Sequence, residues 1–397
     1  MSKNNTVSSI KTAAIYVTTL MVIITISFST MANKVNENEV KKPIFLQQLT
    51  THIVGDIGEY IITFEPETST TVINNLRQSI EQQNYGKMPK TFTGIKGLTA
   101  KLNAEQLAQL HHSRHIKSIE INRTLHHPKP RPNANTNRAY IDAWGVDRLD
   151  QTVLPLDGDY SPNGDGQGVH VYIIDSGIRL SHYEFAGRAQ WDFTASNISE
   201  GNDDLNGHGT HLAGTVGSNA WGVAKAVKLH AVKVANAAGT ATLAALIEGI
   251  DYVTNNHLSP AVAVLGYSTT HSQALNDTVQ AAIDAGVVFV VPSGDSARDA
   301  CHNSPGALSQ TINVSASSQT DVTSPYANFG ACVDTYAPGL HIKSAWHTAD
   351  HMNNTISHSP TAAAHVAGAA AIILSNDTEC TVEQVQQQVI NQTNQQI

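Results

Sequence analysis

Charge is scarce in this chain. Only 14% of its 397 residues are Asp, Glu, Lys or Arg, and 24 Lys and Arg face 33 Asp and Glu, for a formal net charge of −9. No basic stretch is long enough to follow a phosphate backbone, which argues against nucleic acid as a partner. Aromatic residues make up 6% and cysteines number three, so the three cannot all pair with one another. No internal repeat is present, which argues against a solenoid. What the chain does have is 41% hydrophobic residues, 27 Gly and many Ser, Thr, Ala and Asn. That composition excludes a disordered or fibrous chain, and with this length it predicts a loop-rich α/β protein of more than one domain.

The longest early apolar run, Thr12–Phe28, follows Lys3 and Lys11 and precedes Thr30-Met31-Ala32, with Ala at a plausible cleavage position. It is short for a membrane span of about 20 residues and is interrupted by Thr and Ser. Residues 1–32 therefore read as an export signal that is cleaved rather than kept as an anchor, so the mature protein folds outside the cytoplasm, secreted or periplasmic, where disulfides persist.

Next comes a small unit. Glu59–Phe64 reads as a strand and Ser69–Gln83 as a helix with Val72, Leu76 and Ile80 on one face. A short strand near Lys90–Phe92, a helix from Asn103 to Leu110 capped by Asn103 with Gln106 at its third position, and a strand at Ile116–Ile121 follow. This order predicts a split-βαβ, ferredoxin-like domain over residues 44–127. The segment 128–138 belongs to a stretch, His126–Arg138, with three Pro, three Lys or Arg and no apolar periodicity, an exposed linker open to proteolysis. In residues 139–397 short apolar runs at Val169–Ile174, Leu229–Val234, Ala261–Leu265, Val287–Val291 and Ile312–Ala316 have helical segments between or after them, at Ala241–Asn255, Ser272–Ala285, Thr361–Leu374 and Thr381–Ile390. Such runs are buried on both faces, so the expected fold is a doubly wound parallel sheet with its site at the strand C-termini.

The first of these strands delivers Asp175-Ser176-Gly177, and Asn206-Gly207-His208-Gly209-Thr210 presents an imidazole where glycines let backbones approach closely. A buried Asp that fixes the tautomer of a His is two thirds of an acyl-transfer triad. Singly, Asp175 could cap a helix and His208 could be a core histidine; together, in this order, they point to catalysis. No ligand spacing gathers His208, Asp175, Asp295 and His358 round a transition metal.

Asp-Ser-Gly-Ile at 175–178, NGHGTHLAGTVGS at 206–218, YAPG at 336–339 and HVAGAAA at 365–371 resemble the subtilases, in particular their proteinase K-like branch, from Trp144 to about Ile390. Residues 44–127 resemble the inhibitor propeptide of these proteases, which acts as an intramolecular chaperone and is then cut off. The resemblance implies a subtilisin-like fold, serine endopeptidase chemistry and the chain's own propeptide lying in the cleft.

The same resemblance exposes losses. Aligned without gaps, Pro360 takes the place of the nucleophilic Ser and His358 that of a Gly two residues earlier. Asp295 stands where the family has the Asn whose amide stabilises the oxyanion. The substrate-pairing segment is altered to Gly266-Tyr267-Ser268-Thr269, and this altered segment is expected to fill the cleft. The expectation is a secreted pseudoprotease, a monomer that binds peptides or protease inhibitors without cutting them; the alternative is an active serine endopeptidase using a neighbouring hydroxyl such as Ser359. Asp147, Asp150, Gln151, Asp157 and Asp159 match a calcium site of the family, and clustered hard oxygens in a turn suit structural Ca²⁺. Cys301 and Cys332 match a family disulfide, leaving Cys380 as a thiol.

Overall fold

The computed structural model describes residues 57–83, 89–127 and 142–392. The expected signal, residues 1–32, and the linker, residues 128–138, lie outside them. Among the described residues no helix is long and apolar enough to cross a membrane.

The first described unit contains β1 (Gly58–Phe64), α1 (Thr70–Gln83), β2 (Thr91–Phe92), β3 (Gly97–Leu102), α2 (Ala104–His111), β4 (Ile116–Ile121) and β5 (Thr124–His126). Asn103 closes a capping box with Gln106 at the start of α2, each side chain accepting the other residue's backbone N–H, so two of the orphan donors at that helix end are satisfied. The sheet order is β2-β3-β1-β4, with antiparallel pairing throughout. Strand β3 is not among those the sequence predicts. Its apolar residues Leu98, Ala100 and Leu102 alternate and are all buried, but the run is short and opens on Gly97.

The larger unit contains α3 (Trp144–Asp147), β6 (His170–Asp175), β7 (Ala189–Thr194), α4 (His208–Gly217), β8 (Lys228–Lys233), β9 (Thr240–Thr242), α5 (Leu243–Asn256), β10 (Ala261–Leu265), α6 (Gln273–Asp284), β11 (Val287–Pro292), β12 (Ile312–Ser317), β13 (Thr335–Pro338), α7 (Ser359–Asn376) and α8 (Val382–Gln392). Seven parallel strands form its central sheet in the order β13-β12-β11-β10-β6-β8-β7. Alternate residues of β6 feed two cores: Val171 and Ile173 pack with α4 and α7, Tyr172 and Ile174 with α5 and α6. Burying a side chain such as Ile173 contributes about 1.5–3 kcal/mol, and this double coverage is why β6, β10 and β11 read as unbroken apolar runs. The order of winding reverses between β6 and β10, so the switch point of the sheet opens at the C-terminal end of β6, beside Asp175.

The small sheet rests on α5 and α6. Glu120 Oε1 accepts the Ala274 N–H at the start of α6 at 2.8 Å, and Asn122 Oδ1 accepts the Ala244 N–H at the start of α5 at 2.8 Å. Each side chain satisfies a backbone donor that its helix leaves unpaired. Asp251 on α5 accepts the backbone N–H groups of Thr93 and Gly94, and Lys117 pairs with Asp277 at 2.6 Å. Strand β5 then leaves the small sheet and pairs antiparallel with β9, Leu125 opposite Ala241.

Candidate active site

The last residue of β6 and the first of α4 meet at the switch point. His208 Nδ1 donates to Asp175 Oδ2 at 2.8 Å, and the Ser176 N–H donates to Asp175 Oδ1 at 2.7 Å. This approach depends on missing side chains: a Cβ on Gly209 would lie 2.1 Å from the Gly177 carbonyl, and one on Gly266 would lie 1.6 Å from Asp175 Oδ2. Burial alone would raise the Asp175 carboxyl, but the imidazoles of His208 and His127 beside it outweigh burial and hold it well below the usual carboxylate range.

The loop leading into α4 is tied by a residue that sequence reasoning passes over. Asp204 Oδ1 accepts from Ser176 Oγ and from the N–H groups of Asn206 and Gly207, while Oδ2 accepts from the N–H and hydroxyl of Thr210. Its signal in the sequence is an Asp two residues before the Asn-Gly-His run, a common helix-entry pattern.

On the other wall, α7 starts at Ser359, with Pro360 at its second position and His358 as its cap, Nδ1 accepting the Thr361 N–H at 3.3 Å. Pro is tolerated there because the first-turn N–H groups have no intrahelical partner. The His358 ring lies 4.7 Å from that of His208, and burial, reinforced by His208, holds it well below its ordinary pKa. Ser359 is fully buried, and its hydroxyl donates to Asp295 Oδ2 at 2.9 Å while its backbone N–H donates to Asp295 Oδ1 at 3.0 Å. Asp295 thus acts as a cap on α7. His208 Nε2, the atom that would take a proton from a nucleophile, is buried without a hydrogen-bond partner among the described residues.

Of the four residues considered for a transition metal, only Asp175 and His208 share a ligand cluster; His358 lies ring to ring with His208, and Asp295 turns to Ser359. The third member of the cluster is His127, just past β5: its Nε2 lies 3.2 Å from Asp175 Oδ1 and its ring stacks 3.8 Å from His208. Ligand-type atoms of His127, Asp175 and His208 all fall within 4.8 Å of one another. No sequence signal marks His127, because its role depends on β5 crossing to β9. The segment expected to fill the cleft, Gly266-Tyr267-Ser268-Thr269, leaves room for His127, which stacks against Tyr267 at 4.5 Å.

The acidic turn between α3 and β6 is a separate place. Asp147 Oδ2 accepts the Gly158 N–H at 3.1 Å, Asp150 Oδ2 the Ser161 N–H at 2.6 Å and Gln151 Oε1 the Asp157 N–H at 3.3 Å. Asp157 Oδ1 accepts the Asp159 N–H at 3.0 Å, and Asp159 Oδ2 the Ser161 hydroxyl at 2.9 Å. Burial raises the Asp147 carboxyl, and the negative Asp157 and Asp150 push it further. Cys301 and Cys332 are disulfide-bonded, with Cα atoms 5.2 Å apart, and Cys380 is a free, half-buried thiol.

Comparison with known proteins agrees with this geometry. Residues 166–396 match the model of the subtilase family of peptidases. The chain is 40% identical over 300 residues to the extracellular serine proteinase of Thermus sp. (strain Rt41A), covering 75% of this chain and 71% of that protein. It is 36% identical over 344 residues to alkaline serine exoprotease A of Vibrio alginolyticus, covering 84% of this chain and 63% of that one. The crystal structure of a cold adapted subtilisin-like serine proteinase superposes with a TM-score of 0.62 at 38% identity, over 65% of this chain and 93% of its own.

Proposed function

The chain belongs to the subtilase family, and on that premise we propose that it is an exported, catalytically silent subtilisin-like proteinase homologue of the proteinase K-like branch, whose cleft is held by its own N-terminal domain. The observation that carries the reading is the pairing of Ser359 with Asp295 beside Pro360. A serine nucleophile needs its hydroxyl within about 3 Å of a base, and both hydroxyls flanking Pro360 donate elsewhere than to His208, Ser359 to the Asp295 carboxylate and Thr361 to the Gly339 and His358 carbonyls. Pro360 costs the site twice, because it lacks both a hydroxyl and the backbone N–H with which a nucleophilic residue helps to bind the oxyanion. Asp295 presents a carboxylate where the family has an amide donor, so developing negative charge meets repulsion. In subtilisin, the family's namesake, removing the nucleophile is known to cost about 2 × 10⁶ in kcat and removing one oxyanion donor about 10²–10³, and this site combines such losses.

The contacts of the small sheet support its role as a propeptide-type domain spanning residues 44–127. It supplies caps to α5 and α6 and lays β5 along β9 toward the Asp175–His208 pair. With no nucleophile to cut segment 128–138, tail and body stay one chain, and tethering gives the tail a high effective concentration in the cleft. Asp147, Asp150, Gln151, Asp157 and Asp159 would hold a Ca²⁺ ion, which supplies the positive charge that the facing Asp147 and Asp157 carboxyls call for.

The test is intact-mass analysis of the purified protein together with fluorophosphonate labelling. The expected result is an uncut chain, apart from loss of the export signal, and no label. Labelling at Ser359 or Ser357, or spontaneous cleavage near residues 127–139 in a protease-free preparation, would overturn the reading.

A further inference from the structure

His127 is not merely the last residue of a tail that reaches the cleft. Its ring is clamped on both faces, 3.8 Å from His208 with planes 26° apart and 4.5 Å from Tyr267 with planes 25° apart. Its Nε2 lies 3.2 Å from Oδ1 of the buried Asp175 carboxylate, close enough for charge to act but without hydrogen-bond alignment. A single carbonyl anchors both the strand and the clamp: Gly239 O accepts the His127 N–H at 3.1 Å and the Tyr267 hydroxyl at 3.1 Å. Tyr267 therefore spans from the segment after β10 to the β9 wall, with the imidazole packed against its face.

Two residues earlier, Leu125 is buried among Ala241, Leu243 and Leu246. Between them, His126 is exposed and its Nδ1 meets Thr240 Oγ1 at 3.1 Å. Successive strand residues point to opposite sides, so the cleft reads an apolar residue and, two positions on, a histidine.

We infer that this cleft is a binding site for a histidine side chain on an extended peptide strand, with Tyr267 as the residue that sets the specificity. The inference rests on the silent-cleft reading, because a working base must keep its ring free to serve a nucleophile, whereas here the face of His208 is used for packing. The slot is flat, so a lysine side chain has no plane to fill it and an alanine leaves both ring faces and one edge of Asp175 uncovered. Aromatic-type rings at these separations attract in offset stacks. Burial, reinforced by His208, lowers the His127 pKa from its ordinary value and so favours the neutral ring in the slot. In the folded chain the occupant is Leu125-His126-His127. The partner class for a loosened cleft is a protein segment reading Leu-x-His in extended form.

The test uses the full-length chain. Hydrogen exchange of residues 123–127 should show protection in the unmodified protein that falls about tenfold in Tyr267→Ala, roughly what loss of one ring stack supplies, and largely survives in Tyr267→Phe. Replacing the occupant itself, His127→Ala and His127→Lys should each lower that protection about tenfold, and in a Tyr267→Ala background neither should lower it further. Full additivity of the two changes, or unchanged protection in Tyr267→Ala or in His127→Ala, would overturn the inference. So would protection in the unmodified chain that falls when chelator is added, because a metal bridging His127, Asp175 and His208 would then be the reader. Cleavage of the chain near residues 127–139 would instead sink the silent-cleft reading and is seen separately, by mass.

Discussion

Acid should unfold this protein through two histidines that no hydrolytic chemistry requires. His211, one turn beyond His208 in α4, donates from Nε2 to the Ile342 carbonyl at 3.0 Å and is fully buried. Burial pushes its pKa from 6.5 down to about 3, despite that hydrogen bond. His365 in α7 donates from Nδ1 to the Thr361 carbonyl at 2.9 Å, and burial takes it from 6.5 to about 4. Both are neutral in the folded state, while the unfolded chain takes up a proton at each below pH 6.5. Stability from these sites is therefore fully present above pH 6.5 and falls as pH drops toward the folded values. The slope is about 1.4 kcal/mol per pH unit per group, so at pH 4.5 the two together remove about 5 kcal/mol. That is comparable to the whole stability of a small domain. His127, His170 and His358 are shifted in the same direction by burial and add to the loss. Urea unfolding followed by near-UV circular dichroism at pH 7.5, 6.5, 5.5 and 4.5 measures the slope. His211→Gln keeps a donor for Ile342 but does not titrate, so its stability should fall less steeply, by about 1.4 kcal/mol per unit, than that of the unmodified chain below pH 6.5. Parallel slopes would refute the assignment.

Combining Pro360→Ser with His358→Gly, Thr361→Met and Asp295→Asn should restore cutting within residues 127–139, read by intact mass; no cleavage would show damage beyond the motif. Chelator should lower the melting temperature, since an ion at 100 times its Kd stabilises the native state by about 2.7 kcal/mol, and Asp147→Ala with Asp150→Ala should abolish the effect. A chelator-insensitive unmodified protein would remove calcium from the acidic turn. Peptide mapping without reduction should find Cys301 linked to Cys332 and Cys380 free; with a sequence separation of 31 between the partners, reduction should cost about 3–4 kcal/mol in the loop-entropy model, and an unchanged unfolding midpoint after reduction would contradict it.

Much of the frame is legible in the sequence because its causes are local. Strands β6, β10 and β11 are covered on both faces by apolar packing, and that condition writes itself into the chain as apolar runs. The Asn103 and Gln106 box is complete within four residues. Strand β3 does not stand out, because its alternation of Leu98, Ala100 and Leu102 spans too few residues. Helix α4 is equally inconspicuous, its Gly, Thr and His residues giving a small apolar stripe although every one of them is buried.

At the site, residue types at fixed spacing are enough to single out Asp175, His208, Pro360 and Asp295, since a missing hydroxyl is a property of the sequence itself. Where Ser359 directs its hydroxyl is not, because Asp295 lies 64 residues away and reaches it only through the sheet. The clamp on His127 is equally beyond reach of local patterns. It needs β5 to cross to β9, Tyr267 to bridge to Gly239 and Asp175 to face inward from β6, and each of those contacts joins segments more than 25 residues apart. Composition and periodicity act along the chain; a ring slot is made across it, by packing that brings distant backbones within a few ångströms.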